Sequence, residues 1–309
     1  MRRRNFIRNS ILAGASLAPL DEVQKLVDIF PDGRKRKNLL PAWRGFNLTD
    51  FNTPSPESRR RLTTEEHLKW MSDWGFDFVR LPMSYPFYLK FDRTKNITPD
   101  EVYQIDETAV NEIEKLVFLA HKYHLHVSLN LHRAPGYCIN AGFHEPYNLW
   151  KDKAAQDAYY FHWNFWAKRF KNISSKKISF DLLNEPVVRE DMNDQHSKST
   201  PVPPALYYNL VASACKAIRE ENKDHLIIAD GNNVGNIPTP ELKDLKVGQS
   251  CRGYYPHGIS HYQAPWASSH PDEMPVPVYP GKIGNQLINR EALEKYYQPW
   301  IDLMNGGKG

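Results

Sequence analysis

The segment Asn184-Glu185-Pro186 carries the clearest chemistry in this chain. It follows Ile178-Ser179-Phe180-Asp181-Leu182-Leu183, a short apolar run of the kind that forms a buried parallel strand. Pro186 cannot donate to a sheet ladder, so the strand must stop and hand Asn184 and Glu185 to a loop mouth. A carboxyl among apolar neighbours keeps its proton to higher pH and can deliver it near neutrality. Glu185 is therefore expected to act as a general acid/base, a role that hydrolysis of a glycosidic bond requires. Taken alone the tripeptide is short, and a surface Glu after a strand is an equally simple account of it.

Further polar residues fall at the ends of other apolar runs. Arg80 closes Phe76 to Leu81, His132 follows His126 to Leu131, and Tyr254 lies in Gln249 to Tyr255. Singly they read as a surface cation, a core imidazole and a packed aromatic. Together with Asn184 and Glu185 they come from different strands, and a barrel of parallel strands gathers such ends on one face. No metal site is expected: His121, His124 and His126 straddle a helix end and a strand start and would point apart. His257 and His261 have helical spacing, but Pro256 and Gly258 argue against a helix between them. No Gly-x-Ser-x-Gly elbow supports a serine hydrolase. Cys138, Cys215 and Cys251 are too scattered for a disulfide framework or a zinc site. No cofactor is implied.

The elements that must position these residues alternate between strand and helix. Trp43 to Leu48 reads as a first strand. A helix from Thr63 to Trp74 follows, with Thr63 and Glu66 at capping-box spacing and Leu68, Met71 and Trp74 on one face. Helices are also expected over Glu107–Tyr123, Asp152–Phe170, Pro204–Glu221 and Arg290–Met304, and a fifth strand over His225–Asp230. The pattern predicts an α/β fold, a (β/α)8 TIM barrel with six of its eight strands present. A doubly wound open sheet lacks the Gly-rich phosphate turn after its first strand. The chain is expected to end before a seventh strand, leaving the barrel incomplete at the C-terminus.

Composition agrees with one large domain. The 309 residues are 41% hydrophobic, enough for a single core, and the net charge of +4 gives no footprint for nucleic acid. Arg3-Arg4-Asn5-Phe6-Ile7-Arg8 and the mildly apolar Ser10 to Leu20 resemble a twin-arginine export signal. That apolar stretch is shorter than the ~20 residues a spanning helix needs, so stable membrane insertion is not expected. A basic amphipathic helix in the mature protein is the alternative. We therefore expect residues 1–40 to be signal and linker, residues 41–309 to be the barrel, and the protein to be a periplasmic or extracellular monomer.

From about Trp43 onward the chain resembles glycoside hydrolase family 5, the cellulase family. The matching segments are Arg44-Gly45-Phe46-Asn47-Leu48, Val79-Arg80-Leu81-Pro82, Asn130 to Tyr137, Leu183-Asn184-Glu185-Pro186, and Ser260-His261-Tyr262 with Trp266. The resemblance implies a retaining glycosidase acting on a β-linked polysaccharide or oligosaccharide such as a β-glucan. Glu185 would be proton donor and then base, and Asn184 would bond a sugar 2-hydroxyl. Arg80, His132, Tyr254, His261 and Trp266 would bind substrate, Trp266 by stacking. The family commonly has a His two positions before the sixth-strand Tyr, where this chain has Arg252. Its nucleophile, a second Glu roughly 5 Å from the first, sits at the seventh strand, and no Glu here occupies such a place by pattern. A barrel that binds carbohydrate without turnover is therefore the alternative.

Overall fold

The computed structural model describes residues 40–59, 62–140, 145, 147–194 and 196–306. The twin-arginine-like segment and most of the predicted linker lie outside the described residues.

Six strands form one parallel sheet in the order of the chain: β1 (Gly45–Asn47), β2 (Phe78–Ser84), β3 (His126–Ala134), β4 (Ile178–Asp181), β5 (Leu226–Asp230) and β6 (Gly248–Ser250). Helices α1 (Glu65–Asp73), α2 (Glu107–Lys122), α3 (Lys153–Arg169) and α4 (Pro204–Arg219) each lead into the next of strands β2 to β5, and α5 (Arg290–Asn305) comes last. A doubly wound sheet reverses its strand order at a switch point. This order never reverses, as in a barrel whose staves are laid down one after another.

The two-residue period of the strands sorts side chains onto two faces. Val79, Leu81, Val127, Leu129, Ile178, Phe180, Ile227 and Ala229 are fully buried in the layer shared with the helices. The alternate positions are polar: Arg80 pairs in register with Asn47 and Ser128, and Asn130 with Asp181. Apolar runs thus build the core while the intervening residues line the inside of the sheet. Helix α3 supplies Trp163 and Trp166, both fully buried, and its Tyr159 and Trp163 donate to the Leu182 carbonyl at 3.0 and 3.1 Å. Those two bonds tie the exit of β4 to its helix.

Several expectations need correction. The cap of α1 is Thr64 with His67, not Thr63 with Glu66. Thr63 is held instead by Asp50, whose carboxylate accepts its N–H and, at 2.8 Å, its hydroxyl. Leu68 is buried, but Trp74 is 70% exposed and stacks on Trp70, because the helix ends before that turn reaches the core. Strand β2 continues to Ser84, so Arg80 is an inward mid-strand residue rather than a strand end. Strand β6 stops at Ser250, leaving Tyr254 in the following loop. A short helix does form at His257–Ser260, with Pro256 as its cap and Gly258 inside.

Candidate active site

Glu185 lies beyond β4, in a loop whose backbone is held from both sides. Its φ of 52° is in the left-handed region, uncommon for a residue with a side chain. The N–H donates to Asp230 Oδ2 at 2.9 Å, and the carbonyl accepts from the Tyr137 hydroxyl at 2.6 Å. Tyr137 reaches it because the chain doubles back after β3: Tyr137–Cys138 pairs antiparallel with Arg133 and Ala134. The turn needs Gly136, whose φ is 72° and whose place has no room for a Cβ, 2.6 Å from the Leu149 nitrogen.

Two guanidiniums converge on the Asn184–Glu185 pair. Arg80 donates from Nε to Asp181 Oδ2 at 2.6 Å and from Nη2 to Asn184 Oδ1 at 2.9 Å. Arg252 donates from Nη2 to the same Asn184 oxygen at 3.0 Å and from Nε to Glu185 Oε1 at 2.9 Å. A guanidinium can only donate, so the amide oxygen must face both arginines and the Nδ2 donors point elsewhere. The expected apolar setting of Glu185 is therefore corrected: its carboxyl sits against a cation. Sequence reasoning treated Arg252 only as a departure from pattern.

Asp230 at the end of β5 was read as a strand terminus and is in fact central. Its carboxylate is fully buried and pairs with Arg252 through both oxygens, Nη1 donating to Oδ1 at 3.0 Å. Burial pushes the Asp181 carboxyl up, to about 6, against the opposing pull of Arg80. His132 occupies the extra residue where the β3 register shifts against β2, a bulge of the kind that re-aims side chains. Its pKa falls to about 3, from burial first and then from Arg80, Arg133 and Arg252, so its imidazole is neutral near pH 7.

The site opens on a cleft of about 1580 Å³. Arg80, His132, Asn184, Glu185, Tyr254, His261 and Trp266 all face it, together with Arg252 and His257. Tyr254 meets His261 edge-on, with ring centroids 4.9 Å apart, and His257 Nδ1 is 3.4 Å from His261 Nδ1. Trp266 is 59% exposed, leaving its ring open at the rim. Asn47, Thr49 and Asn52 form one wall; Arg189 and Ser199 stand in the hairpin that pairs Val188–Arg189 with Ser199–Thr200. Among the described residues lining the cleft, Glu185 is the one carboxylate. Among the described residues no cluster of His, Cys, Asp and Glu has the grouping of a metal site, and no helix is long and apolar enough to cross a membrane.

The arrangement can bind hydroxyl-rich ligands through amide, imidazole and phenol groups while presenting one carboxyl for proton transfer. Known proteins resemble this chain in sequence and fold. The chain is 27% identical over 280 residues to endoglucanase C of Acetivibrio thermocellus, covering 82% of this chain and 74% of that protein. Over 145 residues it is 32% identical to cellodextrinase A of Ruminococcus flavefaciens, covering 46% of this chain and 40% of that one. A glycoside hydrolase crystal structure superposes with a TM-score of 0.73 at 35% identity, covering 85% of this chain and 75% of the other. Thermotoga maritima Cel5A, in a mutant form with cellobiose, matches at TM-score 0.62 and 19% identity over 85% of this chain and 74% of that one, which speaks to the barrel fold alone. The family model for cellulase, glycosyl hydrolase family 5, matches residues 37–297. The chain belongs to glycosyl hydrolase family 5 and is a glycoside hydrolase built on a TIM barrel.

Proposed function

We propose that the protein hydrolyses a β-linked glucan, with Glu185 as general acid and then general base. The observation that carries this reading is the convergence of Glu185, Asn184, Arg80, His132 and Tyr254 on one cleft. The relatives named endoglucanase and cellodextrinase support the substrate class. They give no support to a barrel that binds without turnover.

The placement of these residues in the cleft, with the family resemblance, supports a role for each. Asn184 has its oxygen committed to two arginines, so its Nδ2 donates to a sugar hydroxyl, a bond that strengthens as positive charge develops at the anomeric carbon. Neutral His132 and the Tyr254 hydroxyl bond the same sugar, His261 backs Tyr254, and Trp266 stacks on a ring face. Glu185 donates its proton to the glycosidic oxygen as the bond to the anomeric carbon breaks. A double displacement needs a second carboxylate roughly 5 Å away. None of the described cleft residues fills that role, so the assignment covers proton transfer and sugar binding. Glu185→Gln should lower kcat on cello-oligosaccharides by about 10²–10⁴-fold, read as reducing-sugar release. Turnover at the original rate would remove Glu185 from the mechanism.

A polymeric substrate and the Arg3-Arg4 motif together support action outside the cytoplasm. Fractionation of cells carrying Arg3→Lys/Arg4→Lys tests export: unchanged periplasmic yield would contradict it.

A further inference from the structure

Arg252 is more than a cation beside a carboxylate. Its side chain is only 12% exposed, and its donors go to three protein groups: Glu185 Oε1, Asn184 Oδ1 and both oxygens of Asp230. The stem is fixed as tightly as the head. Its Cγ passes where a Cβ on Gly235 would stand, 2.6 Å away, and its backbone N–H donates to the Gly235 carbonyl at 3.0 Å. Gly235 itself has a φ of 75°. Arg252 is thus bonded at its backbone and at its head, in a pose that meets both members of the Asn184–Glu185 pair.

Asp230 is fully buried, so it cannot touch a sugar. It accepts from Arg252, from the Ser250 hydroxyl and from the Glu185 N–H. One carboxylate thus anchors the guanidinium that orients the Glu185 side chain and also holds the left-handed Glu185 backbone. A surface ion pair would show neither the burial nor the shared anchor.

Resting on the acid/base reading of Glu185, we infer that Arg252, anchored by Asp230, is a positioning residue for proton donation. It occupies Oε1, so the proton leaves from Oε2 to the glycosidic oxygen, whose electron pair comes from the breaking bond. It also keeps the Asn184 amide turned to the sugar. Neither Arg252 nor Asp230 exchanges a proton with substrate.

The test uses the full chain and two substrates that differ in their need for an acid. A dinitrophenyl β-cellobioside leaves without protonation, whereas cellotetraose does not. Arg252→Met should lower kcat/KM, which reports the first bond-breaking step, by about 100-fold on cellotetraose and by under about fivefold on the dinitrophenyl glycoside. Arg252→Lys should recover part of the loss. If removing Arg252 alone prevents folding, by leaving Asp230 buried without its partner, the double variant Arg252→Met/Asp230→Asn is read on the same substrates. Equal losses on both substrates, or Lys no better than Met, would overturn the inference. Glu185→Gln, run alongside, separates the two ideas. The split in Glu185→Gln but not in Arg252→Met rejects only the positioning role; no split in Glu185→Gln rejects the acid/base reading itself.

Discussion

His126 and His132 stand near opposite ends of β3 and have the same charge state, in each case chiefly through burial. His126 is at the entry to the strand, packed against Trp43 and Phe78 at ring-centroid distances of 3.9 and 5.8 Å. Its Nδ1 is 3.1 Å from the Lys176 carbonyl and its Nε2 is 2.9 Å from Ser179 Oγ. Burial lowers its pKa to about 4. His132 is at the exit, where burial and three arginines lower it to about 3, and it faces the cleft. One imidazole is satisfied on every side by the fold; the other is held neutral at a surface made for ligand. A shifted pKa does not tell them apart. What distinguishes them is whether the polar atoms are already committed to the protein.

The strongest way to break the contrast is to attack the charged end. Arg80→Met leaves Asp181 buried beside Asp230 without its cation, and breaking a buried pair in this way costs about 3–5 kcal/mol. Urea denaturation should register that loss, and an unchanged midpoint would deny the pair its structural weight. Exchanging the two histidines for Ala separates function from packing. His132→Ala should lower kcat/KM by about 10²-fold with little change in melting temperature, the scale of one lost active-site donor. His126→Ala should do the reverse, costing about 2–3 kcal/mol in stability while kcat holds, because it opens an aromatic stack and orphans two polar partners.

Acid should expose what the two ends share. In the unfolded chain these imidazoles take up protons as pH falls through about 6.5. In the folded chain His126 does so only near 4, and His132 only near 3. The unfolded state then binds more protons, so stability is lost as pH falls from about 6.5 toward 4. Urea midpoints at pH 7 and pH 5 should differ accordingly, and His126→Gln should shrink the difference. An equal difference in that variant would remove His126 from the acid response. The smallest effect is reserved for a site far from both ends: Thr64→Ala should cost about 1 kcal/mol through the lost cap of α1 and leave turnover untouched.

Much of the barrel was legible because its signals are local. The apolar runs of β2 to β5 and the spans of α2 and α4 are readable from the sequence, and the structure keeps them within a few residues of their expected bounds. Helix ends were harder. Thr63 and Thr64 offer the same hydroxyl, and only Asp50, brought close by the turn after β1, decides which of them caps. Tyr254 falls within the strand expected over Gln249 to Tyr255, yet β6 ends once its pairing with β5 runs out.

Asn184, Glu185, Arg80 and His132 could be singled out from residue type and place, since a polar residue closing or interrupting an apolar run declares itself without coordinates. Arg252 and Asp230 could not. Arg252 reaches Glu185 across 67 positions of chain, and Asp230 reaches it across 45. Such contacts exist only once parallel strands stand side by side, and no local pattern encodes which distant carboxylate a guanidinium will meet. Periodicity settles the staves; the closing of β4, β5 and β6 against one another settles what surrounds the acid.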